Sequence, residues 1–123
     1  MINIAVDGPA GAGKSTIAKA VSKELEYIYV DTGALYRAIG LYVKEHGADT
    51  KSAEEVSALL SKIDVGIKFV DGEQRVFING EDVSDKIRTP EISMAASDVS
   101  AIPAVREFLF ELQKKLAREN NVI

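Results

Sequence analysis

The sequence predicts an α/β fold: a parallel sheet covered by helices, incomplete within these 123 residues, with a small antiparallel β insertion. Three observations predict it. A strand, loop, helix and second strand fill roughly the first 30 residues, two hairpin signals sit among β-formers in the middle, and helical apolar stripes occupy most of the rest.

Residues 2–6 are a short apolar run ended by Asp7-Gly8-Pro9, the pattern of a buried strand meeting a turn. Over residues 14–25, Ile17, Ala18, Val21 and Leu25 recur at helical spacing. Residues 27–30 carry Tyr and β-branched side chains and stop at Asp31-Thr32-Gly33, as a strand would. Strand, helix, strand is a βαβ unit, whose crossover is expected to be right-handed over a parallel sheet. A second helix is expected over about residues 34–45, with Gly47 as its stop signal. Ser52 and Glu55 have capping-box spacing and open a short third helix.

The character then changes. Ile67, Phe69, Val76, Phe77 and Ile78 lie among Asp71-Gly72 and Asn79-Gly80, both strong hairpin signals, so residues 65–84 read as an antiparallel meander. A helical segment is expected after Pro90, and a clearer helix from near Pro103. Its Val105, Phe108, Leu109, Leu112 and Leu116 form one apolar stripe. Val122-Ile123, an apolar pair after a helix, reads as the opening of a further sheet strand, so the chain is expected to be part of a longer one.

Apolar residues make up 46% and charged residues 28%, an ordinary globular balance. The net charge is −4, from 15 basic and 19 acidic residues, with no Lys/Arg block. That excludes a broad nucleic-acid surface and leaves room for a few Arg residues that grip a small phosphate. There are no cysteines, hence no disulfide or thiolate metal site. The N-terminus lacks the features of a signal peptide, and no run approaches the ~20 apolar residues of a membrane helix. A cytoplasmic protein, with neither nucleic acid nor membrane as partner, is the expectation.

Gly8, Pro9, Ala10, Gly11, Ala12, Gly13, Lys14 and Ser15 satisfy G-x-x-x-x-G-K-[ST] completely, with Thr16 following. The strand before and the amphipathic helix after are the context this loop needs. Its glycines let the backbone fold around an anion, and successive N–H groups and the helix N-terminus point at phosphates. Lys14 can neutralise β- and γ-phosphates, and the Ser15 hydroxyl is placed to ligate Mg²⁺. A nucleoside triphosphate is the expected ligand. Asp31, Thr32 and Arg37 follow the second strand, at the sheet edge where ligands of open α/β folds bind. Two readings stay open there: a polar acceptor site in which Arg37 grips a phosphate bidentately, or a helix cap beside a solvated Arg37.

Three blocks carry a resemblance. The phosphate loop from Asp7 to Thr16, the stretch Asp31-Thr32-Gly33-Ala34-Leu35-Tyr36-Arg37, and Glu81-Asp82-Val83-Ser84 with Ile87-Arg88-Thr89, continuing into Ala96-Ser97 and Ile102-Pro103-Ala104-Val105-Arg106, together resemble the bacterial cytidylate kinases. The resemblance implies the P-loop, nucleoside-monophosphate-kinase fold and transfer of the ATP γ-phosphoryl group to CMP or dCMP. By position it implies that Thr32, Arg37, Ser97 and Arg106 contact the cytidylate, with the two Arg residues on its phosphate and Ser97 on its base. It assigns Arg88 no ligand role beyond bracing its segment. It divides the chain into a P-loop core over 1–64, a monophosphate-binding insertion over 65–89 and a helical return over 90–123. Chains of that family run to roughly double this length; a further pyrimidine-site segment, an Arg-rich lid and the remaining strands and helices would lie beyond residue 123. The alternatives are a P-loop kinase for another small acceptor and a non-catalytic nucleotide- or phosphate-binding module, self-associating through its incomplete sheet edge.

Other residues call for blander readings. His46 is expected on the surface. Phe69, Phe77, Phe108 and Phe110 read as core or interface, Tyr36 as packed, and Lys114, Lys115, Arg118 and Glu119 as a solvated helix face.

Overall fold

The computed structural model describes residues 20, 22, 24, 25, 27–120 and 122. The strand expected over 2–6 and the phosphate loop over 8–16 lie outside the described residues. Ala20, Ser22, Glu24 and Leu25 are helical, as the sequence predicts for that stretch. Ile28 then pairs with Val122 in a parallel bridge, and both side chains are buried. This single bridge is all of the expected parallel sheet that the described residues contain, and no strand is formed over 27–30.

Helix α1 (Thr32–Glu45) begins two residues before its expected start, because Asp31 supplies the cap: its Oδ1 accepts from the Ala34 N–H at 3.2 Å. Gly47, at φ +70°, ends the helix in the left-handed region that glycine occupies without a Cβ penalty. Helix α2 (Ala53–Leu60) is capped by Ser52, whose Oγ accepts from Glu55 N–H. The Ser52 N–H donates to Asp49 O at 3.0 Å, the role a full capping box would give to the Glu55 side chain.

Strands β1 (Val65–Val70), β2 (Glu73–Ile78) and β3 (Glu81–Asp82) form an antiparallel meander in chain order. Both turns have positive φ at both central residues, Asp71 and Gly72, then Asn79 and Gly80. Such turns match the twist of the strands they join. Register follows from them: Val65 faces Ile78, Ile67 faces Val76 and Phe69 faces Gln74. These pairs share one side, where all but Phe69 and Gln74 are buried; Lys68, Arg75 and Phe77 share the other, with the Lys68 ammonium 4.6 Å from the Phe77 ring centre. Asn79 ties the root of the hairpin down by donating its N–H to Asp64 O and accepting from Asp64 N–H, each at 2.8 Å.

A 3₁₀ turn (Lys86–Arg88) leads to helix α3 (Pro90–Ser100), with Thr89 as cap and Pro90 in the first turn, and then to helix α4 (Pro103–Glu119). The predicted α4 stripe is the buried one: Val105, Leu109, Leu112 and Leu116 are buried, and Phe108 is half-buried against them. Each fully buried Leu contributes about 2 kcal/mol of apolar transfer. Phe110 lies outside the core, 58% exposed, and the charged residues Lys114, Lys115, Arg118 and Glu119 face solvent. His46 is exposed and stacks on Tyr42. No described helix is long and apolar enough to cross a membrane.

One core continues through α1, α3, α4, the buried side of the meander, and Val56 and Leu60 of α2. Among the described glycines, Gly40 stands in the closest packing. A Cβ there would stand 3.0 Å from the Ala95 carbonyl carbon, the Ala95 Cβ and the Ala96 nitrogen. Two of these are main-chain atoms and cannot swing aside, so α1 and α3 are close because position 40 has no side chain. Gly40→Ala is therefore expected to destabilise the fold by about 1–3 kcal/mol through overpacking, although alanine is favoured over glycine in a helix by roughly 1 kcal/mol. Urea denaturation measures this as a lowered midpoint.

Candidate functional site

A solvent-open cavity of about 590 Å³ lies between the N-terminal half of α1 and the buried side of the meander. Ser22, Tyr29 and Asp31 line it from the segment that precedes α1, Ala34 and Arg37 from α1, and Ser93 from α3. Phe69, Gln74 and Val76 line it from the meander, with Ser84, Ile87 and Arg88 closing its far end. That size suits a small organic ligand.

Local structure places each group. Asp31 follows the segment 27–30, in which only Ile28 is bridged, and caps α1, so the cap reading holds for its side chain. Arg37 is nearly two turns further on and half-buried. Gly33 lies beside both: a Cβ there would come within 3.3 Å of Asp31 Oδ1 and 3.5 Å of Arg37 Nη1. Its absence leaves the carboxylate and the guanidinium room to move. Among the described residues no carboxylate lies within ion-pair distance of Arg37 or Arg88. Two guanidinium groups that no carboxylate of the described residues pairs, in a cavity with several hydroxyls, suit an anionic, oxygen-rich ligand.

Of the acceptor-side residues predicted from sequence, Arg37 lines the cavity, whereas Thr32, Ser97 and Arg106 are exposed and do not. Ser97 is one helical turn beyond Ser93 on the same face of α3, next to the cavity residue. Arg106 projects from the first turns of α4. The donor-side residues, with Lys14 and Ser15, lie outside the described residues.

The resemblance assigns the meander to a monophosphate-binding insertion and names none of the side chains that form its wall of the cavity. Phe69, read as core or interface, is half-buried and lines the cavity, and Arg88 lines it too. Gln74 makes two hydrogen bonds to Tyr29 main chain: Nε2 donates to Tyr29 O at 2.6 Å, and Tyr29 N–H donates to Oε1 at 2.8 Å. The available signal was its period-two spacing with Val76 and Ile78, which puts a polar residue on an apolar side. Nothing in the sequence names Tyr29 as its partner.

The wall is stiffened from behind. Ser84, itself buried, accepts from Val76 N–H at 2.8 Å, and its own N–H donates to Asp82 Oδ1 at 2.9 Å. Arg75 Nε donates to Asp82 Oδ2 at 2.9 Å, with Asp85 at 3.5 Å and Glu73 at 3.7 Å. The Ser84 N–H and then the Arg75 guanidinium favour the ionised Asp82 and lower its pKa from 3.8 to about 2.

Compared with known proteins, the chain matches the family profile described as "Cytidylate kinase" over residues 4–123. Similar proteins include cytidylate kinases of Caldicellulosiruptor bescii, 53% identical over 99% of this chain, Pelotomaculum thermopropionicum, 48% over 98%, and Lactobacillus gasseri, 46% over 100%. In each case the match covers 54% of the relative, so the chain spans about half the length of the curated relatives it matches.

Asp82 makes the meander sensitive to acid. Its folded pKa lies below its ordinary value, so its contribution to stability is fully present above about pH 4 and is lost as pH falls from there towards about 2. Thermal unfolding followed down that window is expected to show a fall in the transition temperature that Asp82→Asn reduces.

Proposed function

This chain belongs to the cytidylate kinase family, and we propose that it forms the CMP-accepting side and the phosphate loop of an enzyme that transfers the γ-phosphoryl group of ATP to CMP or dCMP. The observation that carries the reading is the placement of Arg37. It stands in a cavity of nucleotide size, near the capped N-terminus of α1, with no carboxylate of the described residues to neutralise it.

In this reading Arg37 and Arg106 hold the acceptor phosphate, and Thr32 and Ser97 contact the nucleoside. A guanidinium presents a planar fork of donors, so it fixes the orientation of a phosphate as well as attracting it. Orientation matters because phosphoryl transfer needs the attacking oxygen in line with the bond that breaks, and holding it there removes most of the entropic part of the barrier. Thr32, Ser97 and Arg106 are exposed outside the open cavity's lining, so this reading requires the site to close around the nucleotide before they touch it. Residues 8–16 bind the ATP phosphates, with Lys14 on the β- and γ-oxygens. Mg²⁺, which Ser15 would help hold, supplies charge neutralisation there. Residues 1–64 are then the P-loop core, 65–89 the monophosphate-binding insertion and 90–123 the helical return. The setting is cytoplasmic.

Calorimetric titration of CMP, AMP and UMP tests the reading. CMP is expected to bind in preference to the other two. Arg37→Ala or Arg106→Ala is expected to weaken it by about ten- to a hundredfold, the range for a lost hydrogen bond to a charged group. Equal binding of all three nucleotides, or an affinity indifferent to both substitutions, would sink it. CMP binding without turnover when ATP and Mg²⁺ are added would leave a binding module.

A further inference from the structure

Gln74 connects the two walls of the cavity. It lies one residue past the first turn's closing pair, opposite Phe69 and on the same side as buried Val76 and Ile78. Its carboxamide offers a donor and an acceptor side by side, as the peptide group of a neighbouring strand would. Both are used on the main chain of Tyr29, 45 residues earlier, at 2.6 and 2.8 Å. Tyr29 follows Ile28, which bridges to Val122, and precedes by two residues Asp31, the cap of the helix that carries Arg37. The hairpin's root is fixed independently, by Asn79 on Asp64 and by the Val83 N–H on Val76 O. Gln74 fixes the other end, beside the Asp71-Gly72 turn.

We propose that Gln74 is a positioning residue for the acceptor nucleotide: by pairing with Tyr29 it sets the distance between the meander and the Asp31–Arg37 wall, and so the width at which Arg37 meets the phosphate. This rests on the reading of the cavity as a CMP site. Gln74 does not need to touch the nucleotide for the effect. A hairpin released at this end pivots about its root, and the wall carrying Phe69 and Val76 moves with it.

Titration of CMP by calorimetry, combined with hydrogen exchange at the Tyr29 amide, tests this. Gln74→Leu keeps the apolar stem and removes both hydrogen bonds; Gln74→Asn keeps the amide on a stem one carbon shorter, which cannot reach both partners. Each variant is expected to speed Tyr29 exchange by at least about tenfold and to weaken CMP binding by about tenfold. Val56→Ala, a buried substitution in α2 away from the cavity lining, provides a variant with lowered stability; it is expected to keep its CMP affinity. If the unsubstituted chain binds CMP and the Gln74 variants bind it as tightly, or their Tyr29 exchange is as slow, the positioning role is overturned while the acceptor reading stands. An equal loss of affinity in Val56→Ala overturns it too, because the effect would then be one of stability. If the unsubstituted chain binds no CMP, the acceptor reading fails, and the positioning role fails with it.

Discussion

The close approach of α1 to α3 at Gly40 determines the geometry of the site. Main-chain atoms of α3 stand where a Cβ of residue 40 would be, so the two helices cannot separate without opening a gap or approach without a clash. Arg37 precedes Gly40 by about one turn of α1, and Ser93 and Ser97 flank Ala95 and Ala96 on α3. The contact therefore fixes how far a guanidinium on one helix stands from hydroxyls on the other. The Lys44–Glu91 pair, at 2.8 Å on the same helix pair, is exposed and adds little to a position that packing already decides.

The meander solves a different problem. A three-stranded sheet whose last strand has two residues cannot bury enough by itself to be stable. It is held by attachments at its periphery. The two turns with paired positive φ set the register, Asn79 ties the root to Asp64, and Arg75 gathers Asp82 and Asp85 on the outer side. The buried Ser84 hydroxyl continues the pairing where β3 stops. Gln74 then joins this small sheet to the segment that leads into α1. Apart from the turns and the side it buries in the shared core, each attachment is a hydrogen bond or an ion pair, and each is local or made to main chain. The cavity wall can thus be specific in shape without a large core of its own.

Much of this was legible in the sequence because it depends on local rules. Aspartate-glycine and asparagine-glycine between β-formers predict the two hairpin turns. Thr89-Pro90 opens a helix, and Gly47 closes one, through the same backbone preferences that the structure displays. The α4 stripe was readable to within the one residue, Phe108, that is half-buried. The start of α1 was placed two residues late because Asp31-Thr32-Gly33 looks like a turn until the Asp31 side chain is seen to cap the helix.

By itself the sequence determined which segments are helical or extended, which of their sides are apolar, and which family the chain resembles. These follow from short-range periodicity, capping and turn chemistry, and from motifs whose residues lie close together along the chain. Tertiary structure alone decided which residues share the cavity. Gln74 meets Tyr29 across 45 residues, Phe69 and Arg88 share the cavity with Arg37, and Thr32, Ser97 and Arg106 are exposed outside its lining. Such pairings depend on how close two helices can pack and on where a hairpin is pinned. No local pattern encodes either distance.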